Sequence, residues 1–216
     1  MINKSESTRQ SVNNTNQNNI GGKMMKKTIV AICLTFVLAL VGCQGSAANG
    51  VADSYVTPQG DFMATLDTFN VTSSSLNNGA WIKSVSNGGG NISPELSWTA
   101  VEGAGTYALY MIDVSVNNWI HMKYMVDSSS VEAGAIPAKA NDVGFVGPYP
   151  APGSTHTYVV YVIALKDSDV SRFSGILDST NTKGINDIMK VLDETASGET
   201  GNVLAYGEIA GTYTAK

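Results

Sequence analysis

From Phe62 onward the chain is written in short apolar runs separated by Gly, Asn and Pro. Runs rich in β-branched and aromatic residues occupy Met63–Thr72, Trp81–Val85, Leu96–Thr99, Thr106–Asp113, Trp119–Asp127 and Thr157–Leu165, and this regular spacing predicts a mostly β domain. Tyr158–Leu165 is an unbroken apolar run, as expected of a buried strand. In Trp119–Asp127, strict alternation would put Trp119, His121 and Lys123 on one face and Ile120, Met122 and Tyr124 on the other. Within Gly184–Ala196, Ile185, Ile188, Val191 and Leu192 fall at i, i+3, i+6 and i+7, which predicts one C-terminal helix. Asn202–Tyr213 then reads as a return strand, while Asp169–Leu177 fits neither period.

Before Phe62 the pattern changes. Residues 1–23 are polar and Asn-rich without an apolar period, and are expected to be disordered or untranslated, with translation starting at Met1, Met24 or Met25. Residues 24–42 read as a secretory signal: two lysines, an apolar run, then small residues before Cys43. Leu40-Val41-Gly42-Cys43 resembles a bacterial lipoprotein box, which implies lipidation of Cys43. The apolar run falls short of the ~20 residues that span a bilayer comfortably, which weighs against a transmembrane anchor. Gln44 after the cysteine resembles lipoproteins sent to the outer membrane. Residues 43–60 read as a flexible tether and 61–216 as the folded domain.

Composition sharpens this outline. With 43% hydrophobic and 14% charged residues the core is large relative to the charged shell, so the class is globular. The net charge of −5 conceals an asymmetry: five of the 13 basic and one of the 18 acidic residues precede Cys43. An acidic body argues against nucleic-acid partners. Cys33 lies in the signal and Cys43 at the lipidation site, so no disulfide is expected to support the fold.

Candidate chemistry is sparse. The two histidines of the chain, His121 and His156, both stand near strand starts beside turns, and Asp113 closes the apolar run TYALYMID. Gly147–Gly153 carries three prolines and two glycines, a stiff loop suited to a preformed pocket. Each of these features alone reads equally as ordinary strand-end or turn structure.

Taken together, Ser93–Trp98 (SPELSW), Asp113 followed by Trp119-Ile120-His121, Gly147–Tyr158 (GPYPAPGSTHTY) and Gly207–Tyr213 (GEIAGTY) resemble the phosphatidylethanolamine-binding protein family, and more closely its bacterial Raf-kinase-inhibitor-like branch. The likeness runs from about Phe62 to Tyr213. It implies a large central antiparallel sheet packed with a smaller sheet, plus the C-terminal helix. It also implies a small pocket for phosphate-like anions or phospholipid headgroups, formed by Asp113, Trp119, His121, Gly147, Pro148, Pro150, His156 and Tyr158. Three positions depart from the family pattern: Val114-Ser115 stands where the second half of an aspartate-proline-aspartate motif is usual, Thr157 replaces an arginine, and Ala151 replaces a proline.

The expected function is therefore a non-catalytic binding protein needing no cofactor, lipid-anchored to the cell envelope, taking a small anion or headgroup. A regulator that binds a kinase or protease is a second reading. A hydrolase or metal enzyme using Asp113, His121 and His156 is a third, and His₂Asp would barely supply a catalytic zinc set. If imidazolium groups donate to the anion, affinity should weaken as pH rises through ~6.5.

Overall fold

The domain is organised around one long strand that is buried on both sides, Thr155–Leu165. The computed structural model describes residues 55–140, 143–168 and 184–216, all within the unit Gln44–Lys216. The expected extension, signal peptide and Cys43, most of the tether, and Asp169–Leu177 lie outside the described residues. Among the described residues, eleven strands and one α-helix follow in chain order: β1 (Asp67–Thr68), β2 (Val71–Thr72), β3 (Leu76–Asn77), β4 (Ala80–Trp81), β5 (Leu96–Trp98), β6 (Thr106–Asp113), β7 (Trp119–Val126), β8 (Ser130–Val131), β9 (Gly144–Phe145), β10 (Thr155–Leu165), α1 (Ile185–Leu192) and β11 (Val203–Thr214). Among the described residues no helix is long and apolar enough to cross a membrane.

The large sheet runs β3-β4-β11-β10-β6-β7-β9 with β1 added against β11, and β2-β5-β8 form a smaller sheet. The sheet is mixed, not purely antiparallel as expected. Its long central strands β7, β6, β10 and β11 pair antiparallel, but β1 and β4 both pair parallel with β11. The expected strand Met63–Thr72 is broken into a helical turn at Met63–Thr65 and two short strands, because Asn186 Oδ1 accepts the Phe62 and Met63 amides and holds that segment off the sheet. Trp81–Val85 likewise keeps only Ala80–Trp81 as strand and turns at Lys83–Val85.

Two cores fill the two faces. On the helix side, Ala108, Tyr110 and Ile112 of β6 and Val159, Tyr161, Ile163 and Leu165 of β10 pack against Ile185, Ile188, Met189 and Leu192 of α1. Each such aliphatic residue, fully buried, stabilises the fold by roughly 1.5–3 kcal/mol. On the other face, Tyr107, Leu109 and Met111 of β6 and Tyr158, Val160, Val162 and Ala164 of β10 pack under the small sheet with Trp81, Leu96, Trp98 and Val131. Being covered on both sides explains why β10 reads as a continuous apolar run. Gly207 and Gly211 of β11 admit the second layer, since a Cβ at either would strike Val71 and Phe69 or Leu76 and Trp81.

The end of the expected tether is not free. Thr57 is buried with its hydroxyl 3.0 Å from the Tyr161 hydroxyl, and Gln59 Nε2 donates to the Tyr206 hydroxyl at 2.7 Å. Residues 55–60 therefore lie against the helix-side face.

Candidate functional site

Three strand ends meet at one corner of the large sheet. Asp113, the last residue of β6, sits opposite Trp119 at the start of β7 and opposite Tyr158 near the start of β10. The β6–β7 connection is tight: the Trp119 amide donates to the Val116 carbonyl at 3.0 Å, with Asn117 and Asn118 at φ 46° and 54°. Two successive left-handed residues make a type I′ turn, for which asparagine is among the few suitable side chains.

A bulge then re-aims His121. In the β6–β7 ladder Met111 pairs with Met122 and Ile112 with Ile120, leaving His121 as the extra residue. A bulge of this kind breaks the alternation of faces. Ile120 therefore joins the helix-side core while Met122, two residues later, joins the other. Trp119 and His121 share the small-sheet side, edge to face at 4.2 Å between ring centres. Lys123, expected on that same face, instead pairs with Tyr110 and lies buried on the helix side.

The two imidazoles are held differently. His156 Nδ1 donates to Asp113 Oδ2 at 2.7 Å, and the other carboxylate oxygen accepts the Ser115 amide at 2.9 Å. Asp113 is buried, while about a fifth of the His156 side chain is exposed (21%). His121 is buried, and its Nδ1 lies 2.8 Å from the Val146 carbonyl, which returns the favour by way of the Val146 amide donating to the His121 carbonyl at 2.8 Å. Burial pushes the His121 pKa down to about 4. The expectation of two imidazolium donors is thereby corrected: near neutral pH His121 is uncharged, because its burial outweighs the nearby Asp113 carboxylate.

Gly147 continues from Val146. Its amide donates to Asn91 Oδ1 at 2.6 Å, and a Cβ there would collide with the Val85 carbonyl, so the loop passes flat against residues 85–87. The neighbouring Asn87 amide donates to the Pro148 carbonyl at 3.1 Å and closes the contact.

The resulting cleft of about 480 Å³ is lined by Asn87, Asp113, Val116, Trp119, His121, Val146, Gly147, Tyr149 and His156. Five of the eight residues expected at the site are thus on its wall. Pro148 and Pro150 are not; they face an adjoining cleft with Trp81 and Tyr213, and Tyr149 borders both. Tyr158 lies beneath, its ring 5.0 Å from that of His121, with its buried hydroxyl near the Asp113 carboxylate and the Tyr149 backbone. Burial raises its pKa, so the phenol stays protonated. Asn87, Val116, Val146 and Tyr149 were not foreseen. Tyr149 lies inside the proline loop already singled out, whereas nothing local marks Asn87, which comes from the helical turn Asn87–Gly89.

Chemically, the corner offers one carboxylate–imidazole pair, one uncharged imidazole, and apolar walls from Trp119, Val116 and Val146. Among the described residues no group of three His, Cys, Asp or Glu side chains is placed to hold a metal ion.

Comparison with known proteins decides the family. The phosphatidylethanolamine-binding protein model matches residues 72–214, two-thirds of the chain and nearly all of the domain described above. The chain belongs to this family. No curated protein matches it. Among solved structures, a phosphatidylethanolamine-binding protein homologue from Chlamydia trachomatis, CT736, is 23% identical over 69% of this chain and 99% of its own, with a TM-score of 0.49. Escherichia coli YbcL, described as a new member of the mammalian family, is 22% identical over 68% of this chain and 99% of its own, with a TM-score of 0.48. Where this member of the phosphatidylethanolamine-binding protein family carries Ser115 rather than a second carboxylate, the side chain is used structurally: Ser115 Oγ accepts the Thr157 amide at 2.9 Å, tying the hairpin to β10.

Proposed function

We propose that the domain is a non-catalytic binding protein whose corner cleft takes a small anion, a phosphate-like group or a phospholipid headgroup. The observation that carries this reading is the Asp113–His156 pair on the wall of a half-open, otherwise largely apolar cleft. Asp113 fixes His156 through Nδ1, so the imidazole presents Nε2 to a ligand, and as an imidazolium it donates there. Membership of a family of binding proteins agrees with this reading. Titration of inorganic phosphate and phosphoethanolamine against wild type and His156→Ala tests it. Loss of a charge-assisted donor of about 1.5–3 kcal/mol predicts roughly 10- to 150-fold weaker binding in the variant. Equal affinity would remove the cleft from consideration.

The same proposal places the protein in the bacterial Raf-kinase-inhibitor-like branch and on the envelope, facing the periplasm from the outer membrane through lipid on Cys43. Intact-mass analysis of native protein should find a diacylglycerol adduct on an N-terminal Cys43. An unmodified Cys43 in a chain that begins upstream would sink the anchor and leave the cleft reading intact.

A further inference from the structure

The cleft has a hydrogen-bond polarity and a charge balance that together restrict its anion. A carbonyl oxygen only accepts, so the 2.8 Å contact with Val146 means that His121 Nδ1 carries the hydrogen. In the uncharged ring Nε2 then carries the lone pair, and His121 stands on the cleft wall, where the Gly147 backbone also bears on the ring. With the ring 4% exposed and edge-on to both Trp119 and Tyr158, a second proton on it is disfavoured, as its lowered pKa reflects.

The titratable groups around His121 and its cleft are Asp113 on β6, His156 and Tyr158 on β10, Tyr149 from the proline loop, and Lys139 from the segment before β9. The Lys139 ammonium stands 5.0 Å from the centre of the Trp119 ring and donates to the Ile120 carbonyl at 3.0 Å, and it is not on the cleft wall. On that wall, the Asp113 carboxylate offsets His156 even when His156 is an imidazolium. A dianion would enter with no net countercharge, in a domain that is acidic overall. A lone pair facing an anion oxygen repels it unless that oxygen carries hydrogen.

We propose that His121 makes the cleft selective for an anion that brings its own proton: a phosphate monoester or hydrogen phosphate whose P–OH donates to His121 Nε2 while its charged oxygen faces His156. This rests on the anion-binding reading above and narrows it. A phosphate diester has the same single charge but no hydroxyl to donate, so the site discriminates between the two by one hydrogen.

Methyl phosphate and dimethyl phosphate are the probes, titrated calorimetrically from about pH 5 to pH 8. At about pH 5 the monoester should bind at least tenfold more tightly. The ratio of the two affinities should then fall by about tenfold per pH unit above ~6, where the monoester loses its second proton. Below ~6 the two probes carry the same single charge, so their ratio there reads the hydroxyl alone. His121→Asn retains an N–H for the Val146 carbonyl and, being a shorter side chain, places no acceptor where Nε2 stood, and should bring the ratio to within about twofold of one at every pH. Equal affinities in the wild type, or a ratio flat with pH, overturns the inference and leaves the anion cleft standing. Failure of either probe to respond to His156→Ala overturns the cleft itself and the inference with it. Phosphatidylcholine vesicles doped with phosphatidic acid, against vesicles doped with phosphatidylglycerol, distinguish the source: recruitment by the former alone places the monoester on a lipid, and none by either, with the soluble preference retained, places it on a free metabolite.

Discussion

His121 and His156 stand within one cleft yet are fixed by opposite devices. His121 occupies a bulge in β7 and is tied to a backbone carbonyl under two aromatic rings. His156 stands at the mouth of β10, partly open to solvent and tied to a carboxylate. A carbonyl can hold an N–H but offers no charge to favour a second proton, so burial keeps His121 an acceptor. A carboxylate accepts the Nδ1 hydrogen of His156 and leaves Nε2 for a ligand. One residue type thus supplies two functions because one copy is anchored to backbone and the other to charge.

The largest expected effect comes from breaking the backbone side of this contrast. Gly147 allows residues 146–147 to lie against residues 85–87, and so aims the Val146 carbonyl at His121. A Cβ there would meet the Val85 carbonyl and approach the Asn87 nitrogen to 2.6 Å, both backbone atoms that cannot move alone. Gly147→Ala should cost about 3 kcal/mol, read as a lower urea midpoint at unchanged slope. Gly153→Ala is the control: its Cβ would meet nothing within 4 Å, and only its φ of 77° opposes the change, at about 1–2 kcal/mol. If Gly147→Ala proves the milder of the two, the loop does not hold the carbonyl in place.

The second effect is a pH dependence assigned to one histidine. His121 has a folded pKa of about 4 against ~6.5 unfolded, so between those values the unfolded chain binds more protons. Its contribution to stability is complete above ~6.5 and is lost as pH falls toward 4, amounting to about 3 kcal/mol at most. His121→Asn should flatten that part of the curve, measured by urea unfolding at a series of pH values. Parallel loss of stability in wild type and variant would show that the ring is not held uncharged.

The long central strands were legible because their burial on both faces leaves few alternatives to a continuous apolar run: Thr106–Asp113 has the expected bounds and β10 is extended by only two residues. The two-residue strands β3, β8 and β9 were not legible, since pairs such as Leu76-Asn77 carry no period and exist only through their partners. At the site, Asp113, His121 and His156 were expected together, but their roles were not. The bulge at His121 is invisible in WIHMKYMV because each of its residues suits a regular ladder, and only the register against Met111 and Ile112 exposes it. The uncharged state of His121 follows from its burial. Asn87 escaped notice for a related reason: it reaches the cleft through a contact across the chain, between its amide and the Pro148 carbonyl.

The smallest expected effect concerns Ser115, on the His156 side of the contrast. Its amide donates to Asp113 Oδ1, a bond that any side chain preserves, whereas its hydroxyl oxygen accepts the Thr157 amide in an exposed position where water can substitute. Ser115→Ala should therefore lower stability by no more than about 1 kcal/mol and change phosphate affinity by less than about twofold. Titration calorimetry alongside urea unfolding separates the two quantities. A tenfold loss of affinity would mean that the hydroxyl itself reaches the anion, and that His156 is not the sole side-chain donor of its half of the cleft. An unchanged affinity would place the hydrogen-bond polarity of the cleft in Asp113, His121 and His156, with Ser115 acting only to seat the carboxylate that holds His156.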